Sequence, residues 1–218
     1  NIERGIQMGN KTRIRKMTIL SMFIAIELIM AMTPIGYLNL GAISITTMHI
    51  PVIFAGILLG PTDGAILGFV FGMTSFLKAT FAPTITSFCF SPFYSVGEIH
   101  GNFWSLLIAF GPRILLGYLS GLLYTSLKRV KKNTFIAESI IAIGMTLLHT
   151  LMVMGMIWLF FGEVYANVTG LAVSAVIITV ITSNGILEMI VAGFIIPMMM
   201  RILRPVLDKL ELGKSTHE

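Results

Sequence analysis

The chain has 218 residues, a length that suits one domain, with 56% hydrophobic and only 11% charged side chains and a mean hydropathy of +0.90. Soluble domains carry about 25% charged residues, so this chain lacks the polar surface to cover itself in water. That excludes disorder, argues against a soluble enzyme and points to a polytopic membrane protein. The net charge of +5 falls in short basic blocks between apolar runs, which reads as a topology signal rather than a nucleic-acid surface. One cysteine, Cys89, leaves no intramolecular disulfide and no cysteine zinc cluster.

A hydrocarbon core about 30 Å thick needs about 20 helical residues. Residues 17–36 supply a first span, with Pro34 near its end. No small-residue cleavage site follows it, so it is expected to stay as a span rather than leave as a signal peptide. Residues 37–47 form a polar outer loop. Two short apolar runs, 48–60 and 64–78, flank the turn Pro61-Thr62-Asp63-Gly64. Residues 79–102, rich in Pro, Ser, Thr and Phe, form a second outer loop long enough to serve as a lid or binding loop. Spans at 103–127, 135–161 and 171–200 follow, with a loop at 162–170 between the last two.

The expectation is an all-α integral membrane protein, a six-transmembrane-helix bundle forming a single membrane domain over residues 1–218. Thirteen of the 15 Lys and Arg residues lie before the first span, between residues 128 and 132, or after the sixth span. An even number of crossings puts these blocks and both termini on one side, and the positive-inside rule makes that side the cytoplasm. A re-entrant pair at 48–60 and 64–78, leaving four crossings, distributes the charges identically.

Gly56, Gly60, Gly64, Gly68 and Gly72 recur every four residues, a spacing that lets helix backbones approach closely. The row crosses the expected turn, so it describes two short, closely packed helices. Ser21 and Ala25 form a small-x-x-x-small pair on the first span, suited to an internal contact or to docking another membrane protein.

Ionisable groups at membrane depth are costly and usually face a bundle interior or a cavity. Arg113 lies about 15 Å into its span. Its planar fork suits a carboxylate or phosphate, and it could instead pair with Glu27 or Glu188. Asn184 can both donate and accept, to a ligand or to another helix, and Glu188 follows one turn later. His49, beside Thr46 and Thr47, and His149 suit either helix packing or a ligand. Trp104 and Tyr94 fall near the outer interface, where aromatic belts form, and Trp104 could also wall a site. There is no H-E-x-x-H spacing, so no metal is expected. There is also no phosphate loop and no G-x-S-x-G, so the chain is expected to be neither an ATPase nor an enzyme. The two halves show no convincing repeat, which argues against an inverted-repeat secondary transporter.

The stretches Ile45-Thr46-Thr47-Met48-His49-Ile50-Pro51-Val52-Ile53 with Gly60-Pro61, Leu67-Gly68-Phe69-Val70-Phe71-Gly72, and Ala82-Pro83-Thr84-Ile85-Thr86-Ser87-Phe88 with Phe90-Ser91-Pro92-Phe93 resemble the substrate-binding S components of energy-coupling factor (ECF) transporters. Pro112-Arg113-Ile114-Leu115 and Thr182-Ser183-Asn184-Gly185-Ile186-Leu187-Glu188 complete the resemblance, which runs from about residue 17 to 200 and is strongest to the pantothenate-specific branch. It implies a multi-pass vitamin-capture protein of the bacterial cell membrane, with substrate held in the outward half of the bundle under the loops 37–47 and 79–102. It implies two kinds of partner, a membrane T component docked on Ser21 and Ala25 and two cytoplasmic ABC ATPases. Those ATPases would hold ATP and magnesium, so this chain needs no cofactor of its own. Arg113 would meet the pantothenate carboxylate and Asn184 its amide or a hydroxyl. His49, Thr46, Thr47 and Trp104 would close the pocket, together with Ser87 and Phe88 of the outer loop. Other vitamins or precursors, such as a hydroxymethylpyrimidine or folate, suit the same scaffold. A stand-alone secondary transporter or a membrane enzyme is the alternative of a different class.

Overall fold

A computed structural model of the chain describes residues 2–40, 43–130, 134–170 and 173–209. Among them, four helices are long and apolar enough to cross a membrane: Pro61–Phe81, Phe103–Leu127, Thr134–Val168 and Ile186–Pro205. The chain is a helical membrane protein. The first helix, α1 (Ile2–Met32), carries its basic residues in the same continuous helix as its apolar part. It stops at Met32 rather than at residue 36, because the residue before a proline is pushed out of helical geometry and Pro34 opens a separate short turn.

The polar stretch after α1 is a β-hairpin. Strands β1 (Tyr37–Leu40) and β2 (Ile43–Thr46) pair antiparallel, with Tyr37 opposite Thr46. The Thr47 N–H bonds the Gly36 carbonyl at 3.1 Å and the Thr47 hydroxyl bonds the Ile35 carbonyl at 2.6 Å, which closes the hairpin's neck.

Helix α2 (His49–Leu59) has 11 residues, ten of them buried, so it is the central post of the bundle and is too short to span alone. The expected turn moves by a residue. Gly60 makes it, with φ of +103°, and Pro61-Thr62-Asp63-Gly64 form the first turn of α3 (Pro61–Phe81). The reason is that proline at a helix's first position lacks only an N–H that would have no partner there, whereas Gly60 tolerates the left-handed backbone.

The glycine row packs α2 and α3 against α4 (Phe103–Val130). A methyl group added at Gly64 would fall on the Gly117 carbonyl, one at Gly68 on the Arg113 carbonyl, and one at Gly72 within 2.7 Å of the Phe110 ring. In lipid, where apolar burial gives helices no reason to associate, such backbone approach supplies the packing energy.

Residues 82–102 are ordered rather than structureless. A single turn at Ser87–Cys89 and a small hairpin, β3 (Ser95–Val96) with β4 (Ile99–His100), fold over the bundle. Phe88, Cys89 and Ser91 are fully buried. Burial pushes the Cys89 thiol up to about 12, so it is inert packing. The loop joins α4 through a reciprocal cap: the Trp104 N–H donates to Asn102 Oδ1 at 2.9 Å and the Asn102 N–H to Ser105 Oγ at 3.0 Å. Ser105 then donates to the Phe88 carbonyl at 2.7 Å.

Helix α5 (Thr134–Thr169) runs 36 residues, about 54 Å, so the loop expected at 162–170 is helix up to its last residue, with Gly170 at φ of +69° ending it. The final apolar stretch is α6 (Val173–Val180), a five-residue π segment (Ile181–Gly185) and α7 (Ile186–Lys209).

The helix ends that carry the basic blocks lie together. Lys16 pairs with Asp63 at 2.6 Å. Gly121 packs on Pro61. Arg204 bonds both Glu138 and Tyr124, and Arg201 stacks over Phe135 at 4.8 Å.

Candidate ligand-binding cavity

At the opposite end of the bundle, under the two loops, lies a cavity of about 550 Å³. Its walls come from α2 (His49), α3 (Phe71, Ser75, Lys78), α4 (Arg113), α5 (His149, Thr150, Val153), and the α6–α7 rod (Val180, Asn184, Glu188). Thr46 of the first hairpin and Ala82, Thr84, Thr86, Ser87 and Phe90 of the second loop form its roof.

Arg113 is placed by its own neighbour in sequence. Pro112 has no N–H, so the Ile108 carbonyl, four residues back in α4, loses its normal helical donor. The Arg113 guanidinium supplies a replacement from Nη1 to the Ile108 oxygen. Nη2 reaches Ser75 Oγ at 3.4 Å. The fork also lies against two aromatic faces, 5.4 Å from the Phe71 ring and 5.2 Å from Phe90. From behind, Gly68 of α3 presses on the Arg113 backbone. A buried cation is thus held by a carbonyl, a hydroxyl and π faces at the cavity wall, an arrangement suited to an anionic group.

The two carboxylates weighed as its partners differ in their surroundings. Glu188 Oε1 accepts the Thr46 N–H at 2.6 Å, tying the first hairpin to α7. Glu27, fully buried on α1, has no hydrogen-bond partner for either oxygen among the described residues and is not a lining residue.

Three further lining atoms, His49 Nε2, His149 Nε2 and Asn184 Oδ1, are buried without a hydrogen-bond partner among the described residues. A buried polar atom left without a partner costs about 1–3 kcal/mol, so such groups are rarely gathered in one place without use. Asn184 stands in the π segment, where one extra residue per turn re-aims side chains; π-bulges recur at functional sites for this reason. The His149 ring lies 5.9 Å from the Phe71 ring, and His149 and Arg113 line the same cavity.

Of the residues expected from the sequence, Arg113, Asn184, His49, Thr46 and Ser87 line this cavity. Three do not. The Thr47 hydroxyl is used at the hairpin neck. Trp104, in the first turn of α4, stacks on Phe160 with ring centroids 4.1 Å apart at the bundle's outer rim. Phe88 points down into the core against Phe161, 5.6 Å away, and is fully buried. Sequence reasoning left Ser75, Lys78, Phe71, Phe90 and Thr150 out of the site. The i, i+4, i+7 spacing of Phe71, Ser75 and Lys78, along the edge of the glycine stripe, could have revealed them. Among the described residues no group of three His, Cys, Asp or Glu side chains could hold a metal ion.

A helical membrane protein built round a ligand-sized, mixed polar and aromatic cavity at one end, roofed by loops, is a capture protein in form. Comparison with known proteins fits that form. The family model for "ECF transporter, substrate-specific component" matches residues 15–200, and the chain belongs to that family. It is 35% identical over 190 residues to the pantothenic acid transporter PanT of Lactococcus lactis subsp. cremoris (strain MG1363), covering 86% of this chain and 94% of that protein. It is 27% identical over 211 residues to the pantothenate transporter PanT of Leuconostoc mesenteroides subsp. mesenteroides, covering 92% and 97%.

Proposed function

We propose that this protein captures pantothenate at the outer face of the bacterial cell membrane for an ECF-type importer. The observation that carries the reading is Arg113, a buried guanidinium on the wall of a ligand-sized cavity, with orphaned polar atoms of His49, His149 and Asn184 around the same space. Pantothenate offers one carboxylate for the guanidinium, and an amide and two hydroxyls for the imidazoles, the carboxamide and Thr46. Two relatives whose names specify pantothenate support the same ligand.

The scaffold is read as six membrane segments, with α1 and the short α2 completing the four long spans and both termini cytoplasmic. The clustering of the basic helix ends away from the cavity supports that orientation. The chain works with a membrane T component and two ATPases, which hold the ATP and magnesium, and it carries out no chemistry itself. Ser21 and Ala25, both exposed on α1, are the docking pair.

The test is isothermal titration of the detergent-solubilised protein against a vitamin panel. Pantothenate binds tightly, and a hydroxymethylpyrimidine and folate do not. Arg113→Ala folds and loses binding by at least about 100-fold, since an unpaired partner to a buried charge costs about 2–5 kcal/mol. Undiminished pantothenate binding by that variant would remove Arg113 from the site.

A further inference from the structure

The cavity is electrically lopsided. Its two cationic lining residues, Arg113 and Lys78, come from α4 and α3, which pack directly on each other. Among the described residues its acidic lining residue, Glu188, comes from α7, whose main packing partners are α5 and α2. The walls between the two poles carry His49 on α2 and His149 on α5. Glu188 is also fixed in place, because Oε1 holds the Thr46 N–H at 2.6 Å and thereby the end of the roofing hairpin. Glu188 and Asn184, one turn earlier, both line that wall.

From this geometry we infer that Glu188 is a specificity-determining residue that admits ligands anionic at one end only. The inference rests on the pantothenate reading and extends it. A ligand with its carboxylate at Arg113 presents its far end to Glu188. A hydroxyl there donates a hydrogen bond to the carboxylate. A phosphate there meets a like charge in a confined space where, among the described residues, the cationic lining residues Lys78 and Arg113 stand on the other helices, α3 and α4. Reversing the ligand gives no relief, since it only exchanges which anion faces Glu188. The class admitted is therefore the hydroxyl-ended monocarboxylate, and the class rejected is its phosphate ester.

The experiment measures binding of three probes to the wild-type protein and to Glu188→Gln: pantothenate, the phosphate ester of its primary hydroxyl, and the uncharged acetate ester of the same hydroxyl. In the wild type the phosphate ester is expected to bind at least about 100-fold more weakly than pantothenate, and at least about tenfold more weakly than the acetate ester. In Glu188→Gln, which keeps the acceptor for the Thr46 N–H but not the charge, the gap between pantothenate and the phosphate ester narrows by about tenfold or more. An unchanged gap in a folded variant overturns the inference. Equal rejection of both esters by the wild type, a result that needs no variant to fold, also overturns it, because size rather than charge would then be the filter. Failure of the wild type to bind pantothenate at all removes the proposed function and this inference with it.

Discussion

At the scale of single residues, Pro112 and Arg113 work as a pair. Proline in a helix interior ordinarily weakens the helix by removing a hydrogen bond. Here the carbonyl it frees, that of Ile108, anchors the guanidinium that faces the cavity. The cost of the missing helix bond is converted into orientation of a charged fork. Pro112→Ala would return an N–H to Ile108 and set it in competition with Arg113. The expected result is a protein at least as stable to heat in detergent, with pantothenate affinity lowered by about tenfold, a change worth about 1.4 kcal/mol. An affinity unchanged within twofold, measured by titration calorimetry, would show that Phe71, Phe90 and Ser75 suffice to hold the side chain. Arg113 at membrane depth was legible in the sequence because a charged residue in an apolar run is conspicuous. The role of Pro112 was legible only in part. The dipeptide is visible, but which acceptor takes the guanidinium depends on packing against α3.

At the scale of elements, the glycine row shows what spacing reveals and where it stops. The four-residue repeat predicted close backbone approach, and the structure delivers it between α3 and α4. It could not predict that the Arg113 backbone sits opposite Gly68, since the repeat names one face and not its partner. The turn moved from Pro61–Gly64 to Gly60, because Pro and Gly mark a break without saying which of them bears the positive φ. The hairpin at 37–46 and the π segment at 181–185 left less trace. The hairpin's strands are four residues each, and a π-bulge has no propensity signature. Trp104 had two readings in the sequence, outer-interface aromatic or pocket wall, and the structure places it in a stack on Phe160, outside the cavity lining. The glycine contact has a direct consequence. Gly68→Ala drives a methyl group into the Arg113 carbonyl, where only backbone can yield. It should destabilise the protein by about 1–3 kcal/mol and weaken pantothenate binding, because α4 must shift under its guanidinium. By contrast, Gly144→Ala, on α5 where an added methyl group meets nothing within 4 Å, should leave melting temperature and affinity unchanged. Equal effects of the two substitutions would dissociate the α3–α4 contact from the site.

At the scale of the whole molecule, α1 has two faces that differ in burial. Phe23 and Glu27 turn inward and are buried, and Phe23 packs on Phe54 of α2 at 5.3 Å. Ser21, Ala25 and the large side chains of Met17, Met22 and Ile29 turn outward. The Ser21 hydroxyl bonds the Met17 carbonyl of its own helix at 2.9 Å, so it presents a small, self-satisfied surface rather than a polar one. On the proposed docking reading serine here does the work of alanine, and the small pair between the exposed Met17, Met22 and Ile29 offers a notch for a second membrane helix. Because the notch faces away from the cavity, docking and capture should separate by mutation. Ala25→Phe fills the notch, and it is expected to abolish co-purification with the T component while leaving pantothenate affinity within about twofold of the wild type, a difference below about 0.5 kcal/mol. Ser21→Ala should keep both properties. If Ala25→Phe still co-purifies in full, the partner grips another face of the bundle. If it loses ligand binding as well, α1 is a strut of the cavity and not a free docking surface.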